Sequence, residues 1–170
     1  MNKEGSHRAE LYVRSLLPDS YSQRQAEVVQ RLGRLVGSGV LTERQVHPCG
    51  NQLPATPAEA NTDVGEWLVE RFLGFNEWAS TNGCGLDPAF EIREVNDTMS
   101  GAQYRALRPP AILLAEYREG ELVCVTPHRD GETVRTVLDR IAELEAGTTT
   151  TYEPVADTKT DRTDARVIQQ

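Results

Sequence analysis

The stretch RPPAILLAEYREGELVCVT, residues 108–126, decides the fold of this 170-residue chain. Its two prolines end any preceding helix, and the apolar segments 111–117 and 121–126 are separated only by a short turn at Glu119-Gly120. This pattern predicts an antiparallel hairpin. The first strand is apolar at both alternating sets of positions, which is typical of a central strand in a sheet covered on both faces.

The rest of the chain alternates between strand and helix patterns. Strands are predicted at 7–16, 40–47 and 90–95, in addition to the hairpin. Helices are predicted at 22–36 and 63–82, with a short helix at 99–107 and a last helix that begins at Asp130 or Thr133 and runs to Leu144. The sequence therefore predicts a single α/β domain with a mixed sheet of about five strands, helices on both faces, and a thioredoxin-like or ferredoxin-like topology.

Composition sets the domain boundary and the expected compartment. A chain of this length can bury a core without disulfides, and we predict one domain at 1–146 followed by a flexible, threonine-rich tail at 147–170. The three cysteines form no Cys-x-x-Cys pair and indicate a reducing compartment. The polar amino terminus and the lack of a long apolar run predict a cytoplasmic protein without a membrane partner.

The charge balance is acidic, with 26 acidic and 18 basic residues and a net charge of −8. Only two of these basic residues, Lys3 and Lys159, are lysines, and the others are arginines. An acidic, lysine-poor surface stays soluble where salt screens its self-repulsion, so we predict a halophilic source. The same charge disfavours nucleic acid as a partner at low salt, but this objection weakens at molar salt.

Motifs for catalysis or cofactor binding are missing from the sequence. It contains no phosphate loop, dinucleotide fingerprint, His-Glu-x-x-His or Gly-x-Ser-x-Gly. Two histidines and two cysteines are weak zinc candidates, although their spacing fits no zinc motif; these are His47, Cys49, Cys124 and His128. Cys124, His128 and Asp130 are close in sequence, but a strand residue and a loop residue four positions later seldom face each other. We therefore predict a protein without enzymatic activity, resident metal or cofactor.

One helix carries a candidate nucleic-acid surface. Arg24, Arg31 and Arg34 lie on the exposed side of the predicted helix 22–36, where they could contact phosphates in the manner of a winged domain. The alternative is a solvated helix face without a partner.

Two resemblances add to this interpretation. Residues 10–16, 30–35, 91–95 and 114–120 resemble a family of small haloarchaeal proteins described as helix-turn-helix, which implies a regulatory role. The region from residue 90 onward also resembles the carboxyl-terminal half of thioredoxin-like folds, in which a cis-proline precedes the central hairpin. That resemblance gives Pro110 a structural role, but only the single thiol of Cys49 is available near the corresponding redox position.

These observations predict a binding or regulatory protein, with a helix-turn-helix-type DNA-binding regulator as the first hypothesis. The alternatives are a redox-inactive thioredoxin-like adaptor and a Cys/His metal or thiol enzyme. The partner is DNA or another protein, and a homodimer is compatible with the sequence.

Overall fold

The computed structural model describes residues 6–15, 23–50, 52–54, 60, 62–86, 91–96, 99, 101 and 103–156. Its helices are α1 (Gln23–Gly37), α2 (Asp63–Thr81) and α3 (Val137–Ala146). Its strands are β1 (His7–Val13), β2 (Glu43–Pro48), β3 (Leu53–Pro54), β4 (Glu91–Asn96), β5 (Gln103–Arg108), β6 (Ile112–Arg118), β7 (Glu121–Thr126), β8 (His128–Asp130), β9 (Thr133–Arg135) and β10 (Val155–Ala156).

The main sheet has five strands in the order β10-β7-β6-β1-β2. Strands β1 and β2 are parallel and are connected through α1, whereas β6 runs antiparallel to both β1 and β7. Core residues of α1 and α3 pack on one face of this sheet, and those of α2 pack on the other. The predicted α/β domain, with a mixed five-stranded sheet and helices on both faces, is confirmed.

The hairpin at residues 112–126 forms as the sequence predicts. Leu114 of β6 packs with α1 and α3, while its neighbours Leu113 and Ala115 pack with α2. The turn needs two left-handed residues, and Glu119 (φ 53°) and Gly120 (φ 81°) supply them. The burial of β6 on both faces of the sheet explains why its sequence is apolar at consecutive positions.

Residues 103–108 form a strand, so the predicted short helix at 99–107 is wrong. Strand β5 pairs antiparallel with β4 and with β3 in a separate three-stranded sheet. Gly101 and Pro109 limit this segment to less than two helical turns, which is too short for a stable isolated helix. Pairing with β4 satisfies its backbone groups instead.

The last helix begins later than the sequence predicts. Thr136 is the N-cap residue of α3, and it forms a capping box with Asp139. The preceding residues form the small hairpin β8–β9, which turns at Gly131 with a φ of 62°. Val134 therefore lies in β9, where it is 53% exposed, and not on the buried face of a helix.

Contacts of the domain continue past the predicted boundary at residue 147. Strand β10 pairs with β7, and the backbone of Glu153 exchanges two hydrogen bonds with the Asn82 side chain, of 2.7 and 2.9 Å. The Tyr152 ring packs edge-on against Trp78. Residues 157–170, the remainder of the predicted flexible tail, lie outside the described residues.

A thioredoxin-like adaptor would require a cis peptide bond before Pro110, but this bond is not cis. In the described part of the chain, the cis bond is Thr126–Pro127. Pro110 itself is buried, directly after Pro109, whose carbonyl oxygen accepts hydrogen bonds of 2.8 and 3.2 Å from the Arg14 guanidinium. No described helix is long and apolar enough to cross a membrane.

Candidate functional site

The three candidate arginines of α1 have different surroundings. Val28, Leu32 and Leu35 hold the inner face of α1 against the sheet, which leaves its opposite face toward solvent. Arg31 is only 21% exposed and joins α1 to α3 through an ion pair with Glu145; its Nε lies 3.0 Å from Oε2. This hydrogen bond lowers the pKa of Glu145. Arg31 is therefore engaged in a helix–helix contact.

Arg24 and Arg34 are both exposed, and neither forms an ion pair with a described residue. Arg34 lies in the last turn of α1. The guanidinium of Arg44 in β2 reaches the same helix, because its Nη2 lies 3.5 Å from the position that a Cβ on Gly33 would occupy. One exposed arginine, Arg34, therefore lies on the carboxyl-terminal half of α1 near the Arg31–Glu145 pair, and Arg44 of β2 adds a second exposed guanidinium next to Gly33.

Arg24 lies at the other end of α1, where it lines a cleft of about 270 Å³. The cleft is at the edge of the sheet where β1 and β7 end and β6 begins. Most of its lining is apolar; the lining residues are Arg24, Pro110, Ala111, Ile112, Pro127, Thr136, Val137 and Leu138. Because they come from four distant parts of the chain, sequence patterns gave no sign of this cleft.

A buried ionic network joins β1, β6 and α3. The Glu116 carboxylate, which is fully buried, lies 2.9 Å from His7 Nε2 and accepts hydrogen bonds of 2.7 and 3.1 Å from Arg140. Burial alone would raise the pKa of Glu116, but the hydrogen bonds from His7 and Arg140 and the charge of Arg140 lower it. In the sequence, Glu116 stands close to Glu119 and Glu121 of the hairpin turn, and such an acidic cluster is typical of a solvated edge. The structure shows that Glu116 is buried instead.

A second buried network lies on the α2 face of the sheet. Arg71 of α2 donates hydrogen bonds of 2.7 and 2.6 Å to the two carboxylate oxygens of Glu10, and the Tyr12 hydroxyl donates one of 2.6 Å. The Arg71 guanidinium also lies 4.8 Å from the centre of the Tyr117 ring. These groups are buried and bonded to one another, which is typical of a structural network.

The weak zinc candidates have separate surroundings. His47 stacks on Tyr12, and Cys49 is buried in the core beside α2. His128 Nδ1 donates a hydrogen bond of 2.7 Å to the Val125 carbonyl oxygen, and Nε2 of the same ring lies 3.3 Å from the Tyr152 hydroxyl. Throughout the described chain, no group of three or more His, Cys, Asp or Glu side chains is placed to hold a metal ion.

The thiols of Cys49 and Cys124 are held in their neutral form. Burial raises the pKa of Cys49 to about 12. Burial and the nearby Glu116 carboxylate raise the pKa of Cys124 well above its usual value. Since the thiolate is the reactive species, neither group has the environment of an activated nucleophile.

We expect Cys84, which is partly exposed, to react with iodoacetamide before Cys49 and Cys124 in the folded protein. The two buried thiols should be labelled only as fast as the chain opens. Site-resolved mass spectrometry over time measures the three rates, and urea-unfolded protein gives the control in which all three react alike. Rapid labelling of Cys124 in the folded state would support the thiol-enzyme hypothesis instead.

A family model described as "Helix-turn-helix domain" matches residues 1–149. No curated protein matches the chain. No solved structure matches it either. Between the described helices, α1 is followed by β2 and α3 is preceded by β9, so no two described helices are joined directly by a tight turn.

Proposed function

We propose that this chain, which belongs to the helix-turn-helix domain family, is a DNA-binding regulator without enzymatic activity. The family match carries the proposal, because it covers nearly all of the described domain. The buried, neutral thiols are consistent with a role that involves no nucleophilic chemistry.

The surface that we assign to DNA is the outer face of α1 around Arg34. Arg34 is exposed on this face, and Arg44 of β2 is exposed next to Gly33 of the same helix. Guanidinium groups bind phosphate oxygens well. Phosphate contacts supply most of the affinity and position a protein on the duplex. Because β2 follows α1 directly, this contact would use one helix and the adjoining strand and not a tandem helix pair.

The acidic composition sets the conditions in which this contact operates. A net charge of −8 repels DNA at low ionic strength, and salt screens that repulsion over about 10 Å at 0.1 M and about 3 Å at 1 M. We propose a salt-rich cytoplasm as the setting, as the scarcity of lysine suggests. DNA retention should therefore be measured over a series of KCl concentrations.

We expect Arg34→Ala to weaken DNA retention for all sequences and to reduce the slope of log K against log [KCl] by about 1, because one phosphate contact is lost. Arg118→Ala is the matched control, since it removes the same charge from an exposed site at the far end of β6. Both variants should keep the melting temperature of the parent protein. Equal retention by the two variants would contradict the assignment of DNA to α1.

A second candidate is a redox-inactive thioredoxin-like adaptor that binds another protein. The strand order β7-β6-β1-β2 in the main sheet supports this candidate, as does the packing of α1 and α3 on one face and α2 on the other. Both features agree with the thioredoxin-like resemblance. Against it stands the bond before Pro110, which is not cis.

Recovery of the tagged protein from native cells distinguishes the two candidates, if bound DNA and bound protein are identified in the same sample. Enrichment of discrete DNA sites is the result expected for the regulator. A stoichiometric protein partner without DNA would replace that proposal with the adaptor.

A further inference from the structure

The cleft beside Arg24 has the features of a ligand site, and we propose that it binds a small organic monocarboxylate with an apolar body. This inference goes beyond the proposed function and does not depend on it, because the cleft uses Arg24 and not the surface around Arg34. It would make the protein responsive to a small molecule.

The walls of the cleft fit an apolar ligand body. Six of the eight lining residues are proline, alanine, isoleucine, valine or leucine, contributed by the start of β6, the residue after β7 and the first turn of α3. Small-molecule sites typically have such predominantly apolar walls and a few polar groups that fix orientation. Removal of apolar ligand surface from water favours binding.

The polar groups of the cleft select a negative charge. Arg24 supplies a guanidinium that forms no ion pair with a described residue. The first turn of α3 lines the cleft, and its free backbone N–H groups give that end of the helix a partial positive charge. The nearby Asp139 carboxylate already accepts a hydrogen bond from the Thr136 backbone in the capping box, so it is turned toward the helix backbone.

A buried hydroxyl lies next to the cleft. Thr126 Oγ1 is fully buried and makes no hydrogen bond with a described residue. Thr126 directly precedes Pro127, which lines the cleft, and pairs across the strands with Leu114. Its side chain therefore lies on the same face of the sheet as Ile112. Thr126 is not itself among the residues that line the cleft, so its hydroxyl lies behind the apolar wall and the polar contacts of a ligand fall to Arg24 and the first turn of α3.

The size of the cleft limits the ligand. A volume of about 270 Å³ holds roughly nine water-sized groups at about 30 Å³ each. A ligand with about nine non-hydrogen atoms fits. Benzoate has this size, and benzamide has the same shape without the charge, so the two compounds separate the electrostatic contribution from the apolar one.

The test is a titration of ¹⁵N-labelled protein with sodium benzoate and with benzamide at constant ionic strength, followed by amide chemical shifts. We expect saturable benzoate-dependent shifts at residues 111–112 and 136–138, and binding at least about tenfold weaker for benzamide, since a charge-assisted hydrogen bond is lost. Arg24→Gln should remove this preference. Arg34→Gln on the same helix is the control and should preserve it.

A second variant checks the apolar part of the site. Ala111→Trp fills the exposed rim of the cleft and should abolish binding of both compounds, while the spectrum elsewhere stays that of the folded protein. Benzoate shifts that do not saturate, that occur away from the cleft, or that persist unchanged in Arg24→Gln would overturn the proposal. The assay contains no DNA, so its failure is distinct from failure of the regulator hypothesis.

Discussion

Replacement of Glu116 by Gln is expected to lower the free energy of unfolding by about 3 kcal/mol, because it removes the buried carboxylate that pairs with the Arg140 guanidinium. Among the described residues, Arg140 then keeps only the weaker ion pair with Glu143, whose Oε1 lies 3.5 Å from Nη1. Arg140 is only 4% exposed and donates two hydrogen bonds to the carboxylate. Glutamine has nearly the same shape, so no cavity contributes to the loss. Urea denaturation of parent and variant, with comparable slopes, measures the difference.

The matched control is Glu145→Gln. Glu145 also pairs with an arginine, Arg31, but its side chain is 37% exposed. Solvent screens such a pair, and we expect a loss of at most about 1 kcal/mol. Similar losses for the two variants would contradict the assignment of Glu116 to a desolvated network.

The pH dependence of the parent protein provides an independent readout. The pKa of Glu116 is lower in the folded protein than its usual value, since His7 and Arg140 stabilise the charged form against the opposing effect of burial. Its stabilising contribution is therefore complete above the ordinary carboxyl pKa and decreases as the pH falls through the lower folded-state pKa. The difference in the free energy of unfolding between the parent protein and Glu116→Gln should therefore decrease as the pH falls through this range.

Replacement of Phe72 by Ala is expected to lower the free energy of unfolding by about 3–5 kcal/mol, because it opens a cavity in the core on the α2 face. Phe72 is fully buried and packs edge-on against Tyr12, with ring centres 5.6 Å apart. Its ring is tilted against that of Phe75, with ring centres 5.3 Å apart. Aromatic pairs of this geometry contribute beyond the buried area alone.

Leu73→Ala is the control for this second prediction. Leu73 is the next residue of α2, but it is 47% exposed, so its truncation should change the stability by no more than about 0.5 kcal/mol. Calorimetric melting of both variants measures the contrast. A large loss for Leu73→Ala would show that the exposed side of α2 is covered by a partner or by another part of the chain.

The difference between these neighbours was readable from the sequence, because an amphipathic helix repeats its buried positions every three or four residues. The same local logic predicted the hairpin at 112–126, α1 and α2. This local reasoning failed at residues 103–108, where a short segment of polar and apolar residues forms a strand that is stabilised by pairing with β4. Strand conformation that depends on pairing with other strands, here β4 and β3, leaves a weak local pattern.

The sequence was less informative about which charged side chains are buried. Glu116 is followed closely by two other acidic residues at the turn, Glu119 and Glu121, and the cluster suggested a solvated edge. The useful signal was alternation, since Glu116 is two residues from the buried Leu114 and shares its face of the sheet. Its partner His7 is 109 positions away in sequence, and no local pattern indicates that pairing.

The sequence by itself determined the α/β class, the central hairpin and the buried faces of the helices, because each depends on the periodicity of neighbouring residues. Only the tertiary structure decided which charges are buried, which of Arg24, Arg31 and Arg34 is engaged, and where the cleft lies. Those features arise when segments far apart in the chain meet, and their energies depend on desolvation that exists only once the sheet and helices have packed.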